Sequence, residues 1–195
     1  MQPNPPRLKK HHCLDGNAIP GPSFILPERD SKSIQTHFVH KANIPVPLEF
    51  KRRPIKSIAL AFLYRFLDHF TFSFLLLKRP GDEKWEPPEG KIESGETNRE
   101  GCIREVREEV GLIIDPDPLD ITFFTQNSHF VIEGHPFIAP INGDKIVLSS
   151  EHIDYQFYPY NDALKIIRFN DVKCALMYAN LCIQEKVWKD CNGQT

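Results

Sequence analysis

The stretch that decides the reading is GKIESGETNREGCIREVREEVGL, residues 90–112. Ten of these twenty-three side chains are charged, and Glu105, Glu108 and Glu109 crowd into five positions. Thr97 followed three residues later by Glu100 is a capping box, which starts a helix there. Gly111 stands where that helix stops. At 3.6 residues per turn, Cys102, Ile103, Val106 and Val110 form an apolar stripe that can be buried. Glu105 and Glu109, four apart, lie one above the other, and Glu108 flanks them. Two carboxylates about 4 Å apart repel by roughly 4 kcal/mol at an effective dielectric near 20. A fold tolerates that when a cation joins them, and the hard partners of carboxylate oxygen are Mg²⁺, Mn²⁺ and Ca²⁺. The plainer alternative is a solvated acidic face paired with arginine.

Working outward, Ser57–Tyr64 and Thr71–Lys78 are β-rich runs bounded by polar breaks, and residues 79–95 form a loop rich in Pro and Gly. Beyond the helix, Ile121–Gln126, His129–Pro136, Lys145–Ser149 and Asp154–Tyr158 are expected strands. Asn161–Ile167 and Asp171–Val187 are expected helices, the second with an apolar face of Ala175, Leu176, Ala179, Leu181 and Cys182. Residues 1–55 hold nine of the seventeen prolines, which disfavour helix, so this stretch reads as an irregular extension with one short strand near Gln35–His40. The expected division is an extension over 1–53, a folded domain over 54–189 that contains this stretch and a tail over 190–195.

The 195 residues carry a formal net charge of −2, with the basic excess confined to the extension. The acidic remainder lacks the basic face of a nucleic-acid binder. The runs IALAFLY and FSFLLL are too short to span a bilayer, and no apolar signal core opens the chain. Five cysteines without a C-x-x-C pair point to reduced thiols and a cytoplasmic setting.

The full pattern is Gly90, Glu96, Arg104, Glu105, Val106, Glu108, Glu109, Gly111 and Leu112. It resembles the Nudix box, and every defining position is met. That resemblance implies an α/β fold: an α/β/α sandwich with a mixed sheet and a loop–helix–loop catalytic motif. It implies a hydrolase of a nucleoside diphosphate linked to another moiety, working with Mg²⁺ or Mn²⁺. Carried over by position, Glu105, Glu109 and the Gly90 carbonyl are metal ligands. Glu108 is a further ligand or the base that activates water, and Glu96 and Arg104 pair to support the loop.

WEPPEGKIESGE (85–96), SSEHIDYQF (149–157) and FNDVKCAL (169–176) resemble segments of the asymmetrical diadenosine tetraphosphate hydrolases. The EH-x-x-Y element also resembles the dATP and dihydroneopterin triphosphate pyrophosphohydrolase branch. By this resemblance Glu151 reaches the site as ligand or alternative base, Tyr155 stacks on a purine, and Lys173 meets phosphate; Lys84 and Lys91, near the box loop, are further expected phosphate contacts. Glu89 stands where those tetraphosphate hydrolases carry lysine and most of the superfamily glycine, and Phe157 replaces a tryptophan. Dinucleoside polyphosphates are the first expected substrates, (d)NTP or dihydroneopterin triphosphate the second, with nucleotide sugars and mRNA caps behind. A catalytically silent nucleotide-binding module is the alternative of another class, but such modules lose box carboxylates that are complete here. The expected partner is a small nucleotide, without nucleic acid or membrane, and a homodimer stays open.

Overall fold

The computed structural model describes residues 37–40, 53–68, 71–81, 85–126, 129–143 and 145–191. Its frame is a pair of parallel strands, β2 (Ile55–Phe66) and β8 (Val131–Pro140), in register from Ile55 opposite Val131 to Tyr64 opposite Pro140. Both faces of β2 are covered. Its centre is therefore an unbroken apolar run rather than an alternation, as expected of a strand buried on both sides. Leu60, Phe62 and Tyr64 point into one apolar cluster, while Ala59, Ala61 and Leu63 point into another.

β3 (Phe72–Lys78) returns antiparallel to β2 and divides its side chains the same way, Phe72, Phe74 and Leu76 against Leu75 and Leu77. β7 (Ile121–Gln126) lies antiparallel to β8, and β1 (His37–His40) pairs with β7 at the edge. The remainder of the proline-rich extension lies outside the described residues. β9 (Asp154–Pro159) pairs antiparallel with β3 on the opposite side. The sheet is thus mixed, in an α/β arrangement with helices on both faces.

One face is covered by α1 (Asn98–Val110), whose Cys102, Val106 and Val110 enter the cluster of Ala59, Ala61 and Leu63. Thr97 and Glu100 form the expected capping box, and Gly111 caps the end at φ +73°, a left-handed conformation that glycine adopts without penalty. Ile103 is only half-buried, so the buried stripe is narrower than the periodicity suggested. The other face is covered by α2 (Tyr160–Ile166) and α3 (Asn170–Cys191). α3 buries Val172, Ala175, Leu176, Ala179 and Ile183. The expectation for Leu181 is corrected: it is 62% exposed, because it lies off that i, i+3, i+4, i+7 row.

Two further expectations are corrected. Residues 79–95 are not a plain loop, since they hold β4 (Trp85–Glu86), paired with β3, and β5 (Glu89–Lys91), paired with Ile58–Leu60 of β2. Glu-Gly-Lys has no strand propensity of its own; pairing with a central strand imposes the conformation. A further two-residue strand, β6 (Asp117–Pro118), pairs with β8. Conversely, Lys145–Ser149 joins no sheet. Its amides go to the open carbonyls at the end of α1, with Val147 N–H donating to Val110 O at 3.0 Å and Ser149 N–H to Glu109 O at 2.9 Å. That docking sets the Ser149–Ile153 turn beside the acidic end of α1. No helix among the described residues is long and apolar enough to cross a membrane.

Candidate active site

Gly90 on β5 faces α1 so closely that a Cβ built there would fall inside the Glu105 carboxylate. The missing side chain leaves a cradle in which Glu105 lies against the strand backbone. One turn on, Glu109 is 5% exposed, and its Oε2 accepts the Glu89 N–H at 3.0 Å. Glu108 turns outward, its side chain 59% exposed. The three helical carboxylates therefore occupy three depths: Glu109 beneath β5, Glu105 in the cradle, Glu108 at the rim. Burial pushes the Glu109 carboxyl up to about 8, and a cation brought to it would favour the ionised form again.

Arg104 ties this end of α1 to the preceding loop. Its Nε and Nη2 meet the two oxygens of Glu96 at 2.7 and 2.9 Å, and Nη2 also donates to the Lys91 carbonyl at 2.7 Å. Its Nη1 reaches Glu105 at 2.7 Å and Glu108 at 3.2 Å. The fork to Glu96 is bidentate, the strong geometry for this pair, and it holds the Glu96 carboxyl down at about 2.

A second arginine meets the carboxylates from the sheet side. Arg79, one residue past β3, is hydrogen-bonded to Glu86, pairs with Glu151 at 3.0 Å and stands 3.7 Å from Glu109. Glu151 arrives on the turn anchored by the 145–149 segment, and its side chain is 66% exposed. Arg79, Glu89, Gly90, Lys91, Glu105, Glu108, Glu109, Ser149 and Glu151 together line one cleft of about 270 Å³. Among the described residues no three carboxylates or imidazoles converge as a ready-made metal cage; the two arginines hold the acids instead. The donor set nonetheless fits a hard divalent cation. It consists of carboxylate oxygens and a backbone carbonyl strand with no side chain in the way, and Glu89 Oε2 is buried without a hydrogen-bond partner.

Six of the expected site residues, Glu105, Glu108, Glu109, Gly90, Lys91 and Glu151, thus share one cleft, and Glu96 and Arg104 sit directly behind it. Tyr155 lies opposite Leu77 in the β3–β9 register, on the α1 side of the sheet, and is 40% exposed. It does not line the cleft. Neither does Lys173, in the first turn of α3 on the other sheet face. Lys84 lies outside the described residues.

Sequence reasoning missed Arg79, whose partners are seven, thirty and seventy-two residues away, so no local pattern marks it. It also missed Ser149 and His152, which only the docking of residues 145–149 brings to Glu109. Glu89 is noticeable in the sequence as a departure. The structure adds that its carboxyl is pushed up to about 8 by burial, with the Glu86 and Asp171 charges adding to the effect.

Fold and site together define a class: an α/β scaffold presenting clustered carboxylates from a helix and a separate turn against a glycine in the neighbouring strand. A family model for the NUDIX domain matches residues 56–175, and the chain belongs to that family, the Nudix hydrolases, pyrophosphohydrolases acting on phosphorus-containing anhydrides. It is 31% identical over 119 residues to the asymmetrical bis(5'-nucleosyl)-tetraphosphatase of Mus musculus, covering 56% of this chain and 80% of the relative. Among solved structures it is similar to a binary complex of the C. elegans Ap4A hydrolase, with TM-score 0.57 and 25% identity over 66% of this chain and 97% of the other. The E. coli dihydroneopterin triphosphate pyrophosphohydrolase shares the fold, with TM-score 0.55 and 20% identity over 64% of this chain and 95% of the other. Members of the family generally use divalent metal ions.

Proposed function

We propose that this chain is a Mg²⁺-dependent hydrolase, with Mn²⁺ as a substitute, that cleaves a pyrophosphate linkage in nucleotide polyphosphates. Dinucleoside polyphosphates such as diadenosine tetraphosphate come first among its substrates. One observation carries the reading: Glu105, Glu108, Glu109 and Glu151, from a helix and a separate turn, line a single cleft with Gly90 at its wall. The similarity to the tetraphosphatase over 119 residues favours the dinucleoside class.

In this reading Glu105, Glu109 and the Gly90 carbonyl hold the metal, which when bound neutralises phosphate charge and lowers the pKa of a water molecule. The protein's own contribution is positioning and electrostatics. Arg104 and Glu96 hold the loop that carries the Gly90 carbonyl. Arg79, which here pairs with Glu151 and stands near Glu109, would offer its guanidinium to phosphate oxygens. Glu108 and Glu151 are the exposed carboxylates, and either would serve as the base that takes a proton from water. Lys91 lies at the cleft for phosphate, and Tyr155 presents a ring on the same sheet face for stacking on a base. Lys173 remains a phosphate contact proposed on resemblance, and Lys84 one proposed on its place near the box loop in the sequence. A cytoplasmic setting belongs to the same reading, supported by the free thiols of Cys102, Cys174 and Cys182.

The test is a substrate panel with Mg²⁺ and chromatographic separation of products. Diadenosine tetraphosphate giving ATP plus AMP is the expected result. Monophosphate plus pyrophosphate from a dNTP, with the dinucleotide untouched, would move the chain to the second substrate class. No turnover of any nucleotide would mark a silent binding module.

A further inference from the structure

His152 is 5% exposed, and its Nε2 is buried without a hydrogen-bond partner. The group facing that nitrogen is the Glu109 carboxylate, with Oε1 at 3.7 Å. On the other side of the ring, Nδ1 lies 3.4 Å from Ser149 Oγ. The Ser149 hydroxyl is itself 3.3 Å from the Glu151 N–H, which donates to it, and the Ser149 N–H donates to the Glu109 backbone carbonyl at 2.9 Å. The His152 N–H closes the turn on Ser149 O at 3.3 Å.

We propose that His152 is a positioning residue that couples the Glu151 turn to the helical carboxylate Glu109. The inference rests on the reading that both carboxylates serve one site. A neutral imidazole carries one N–H, and a ring nitrogen facing a carboxylate oxygen is the one that donates. With the Glu109 carboxyl ionised, as it is when a cation is brought to it, the proton sits on Nε2, Nδ1 accepts the Ser149 hydroxyl proton, and the Ser149 oxygen accepts the Glu151 amide. A single chain of polar contacts then runs from the Glu151 backbone through Ser149 and His152 to Glu109. It sets Oε1 of Glu109 from the buried side, while the Glu89 N–H sets Oε2 at 3.0 Å. Arg79 bridges the same two carboxylates from the exposed side. The contact at Nε2 is longer than a hydrogen bond here and tightens when the site is loaded. A carboxylate with both oxygens oriented enters a coordination shell without searching rotamers, which is how outer partners tune metal sites.

The test uses the full chain and Mn²⁺ alone, its binding followed by paramagnetic resonance of the free ion, with metal-free thermal unfolding in parallel. His152→Leu should weaken Mn²⁺ binding about 10-fold or more, the usual loss for an outer partner. His152→Gln, whose amide nitrogen can take the place of Nε2, should recover most of that loss, and His152→Asn, whose amide reaches only as far as Nδ1, should not. A merely structural role would make all three variants alike in binding, and would show in metal-free unfolding instead. Nitrogen-15 spectra of the His152 ring in the metal-free protein at alkaline pH, with the Glu109 carboxyl ionised, should show the Nε2–H tautomer. Where His152→Leu fails to fold, Ser149→Ala serves, and it should weaken Mn²⁺ binding in the same direction through the freed ring. Undiminished Mn²⁺ binding in His152→Leu and Ser149→Ala, Gln no better than Asn, or an Nδ1–H tautomer would overturn the proposal. A wild-type chain that binds no Mn²⁺ would instead overturn the functional reading, and the tautomer still decides this one.

Discussion

Glu105 occupies the volume that any side chain at Gly90 would need. Strand and helix are in contact there through a carboxylate, so Glu105 and the loop backbone cannot move independently. Gly90→Ala should push Glu105 out of its cradle. Overpacking of this kind costs about 1–3 kcal/mol of stability. The loss of turnover should be larger, about 100-fold, because a displacement near 1 Å is enough to misalign reacting groups. Thermal unfolding and kcat on one preparation check both; an alanine variant with full turnover contradicts the cradle.

Arg79 is the cation that Glu86, Glu109 and Glu151 share. Arg79→Ala leaves Glu86 and Glu109, both buried, without it. We expect a loss of about 1–2 kcal/mol, less than for a fully buried pair because the guanidinium is more than a third exposed. Saturating Mg²⁺ should narrow the difference from the wild type, since a bound cation replaces the missing charge. Unfolding temperatures of both proteins with and without Mg²⁺ test this. A gap that Mg²⁺ leaves unchanged would separate Arg79 from the proposed metal site.

The Glu96–Arg104 fork makes a pH-dependent contribution whose sign is set by the folded pKa. The Glu96 carboxyl is held at about 2, below its ordinary 4.5, first by the Arg104 hydrogen bonds and then by the Glu93 N–H. A depressed carboxyl pKa stabilises the fold above the unfolded pKa, and that stabilisation is lost as pH falls toward the folded one. The stability difference between wild type and Glu96→Gln should therefore be constant at neutral pH and shrink between about pH 4.5 and pH 2. Denaturant unfolding across that range checks it, and a difference that grows on acidification would contradict the pairing.

The helix and its caps were legible because Thr97, Glu100 and Gly111 carry local signals. The two-faced strands were legible because apolar runs such as ALAFL cannot be left in water. The carboxylate cluster was legible because helical periodicity converts spacing into proximity. What was hidden depends on contacts between distant segments. Residues 145–149 have strand-like composition, yet their amides satisfy the carbonyls of α1 rather than a sheet. Glu89–Lys91 is a strand only through its partners in β2. Arg79 and His152 acquire their neighbours from parts of the chain that no short window includes.

Everything proposed for this site comes down to whether buried Glu109 and its neighbours work through a divalent ion. Hydrolysis of diadenosine tetraphosphate should be followed across a Mg²⁺ titration for the wild type and for Glu109→Gln, with folding of both verified. The account predicts ATP plus AMP from the wild type in Mg²⁺ and none in chelator, and a loss of about 1,000-fold or more in Glu109→Gln, the scale on which groups at the reacting centre matter. Undiminished turnover by Glu109→Gln, or turnover by the wild type in chelator, would contradict it.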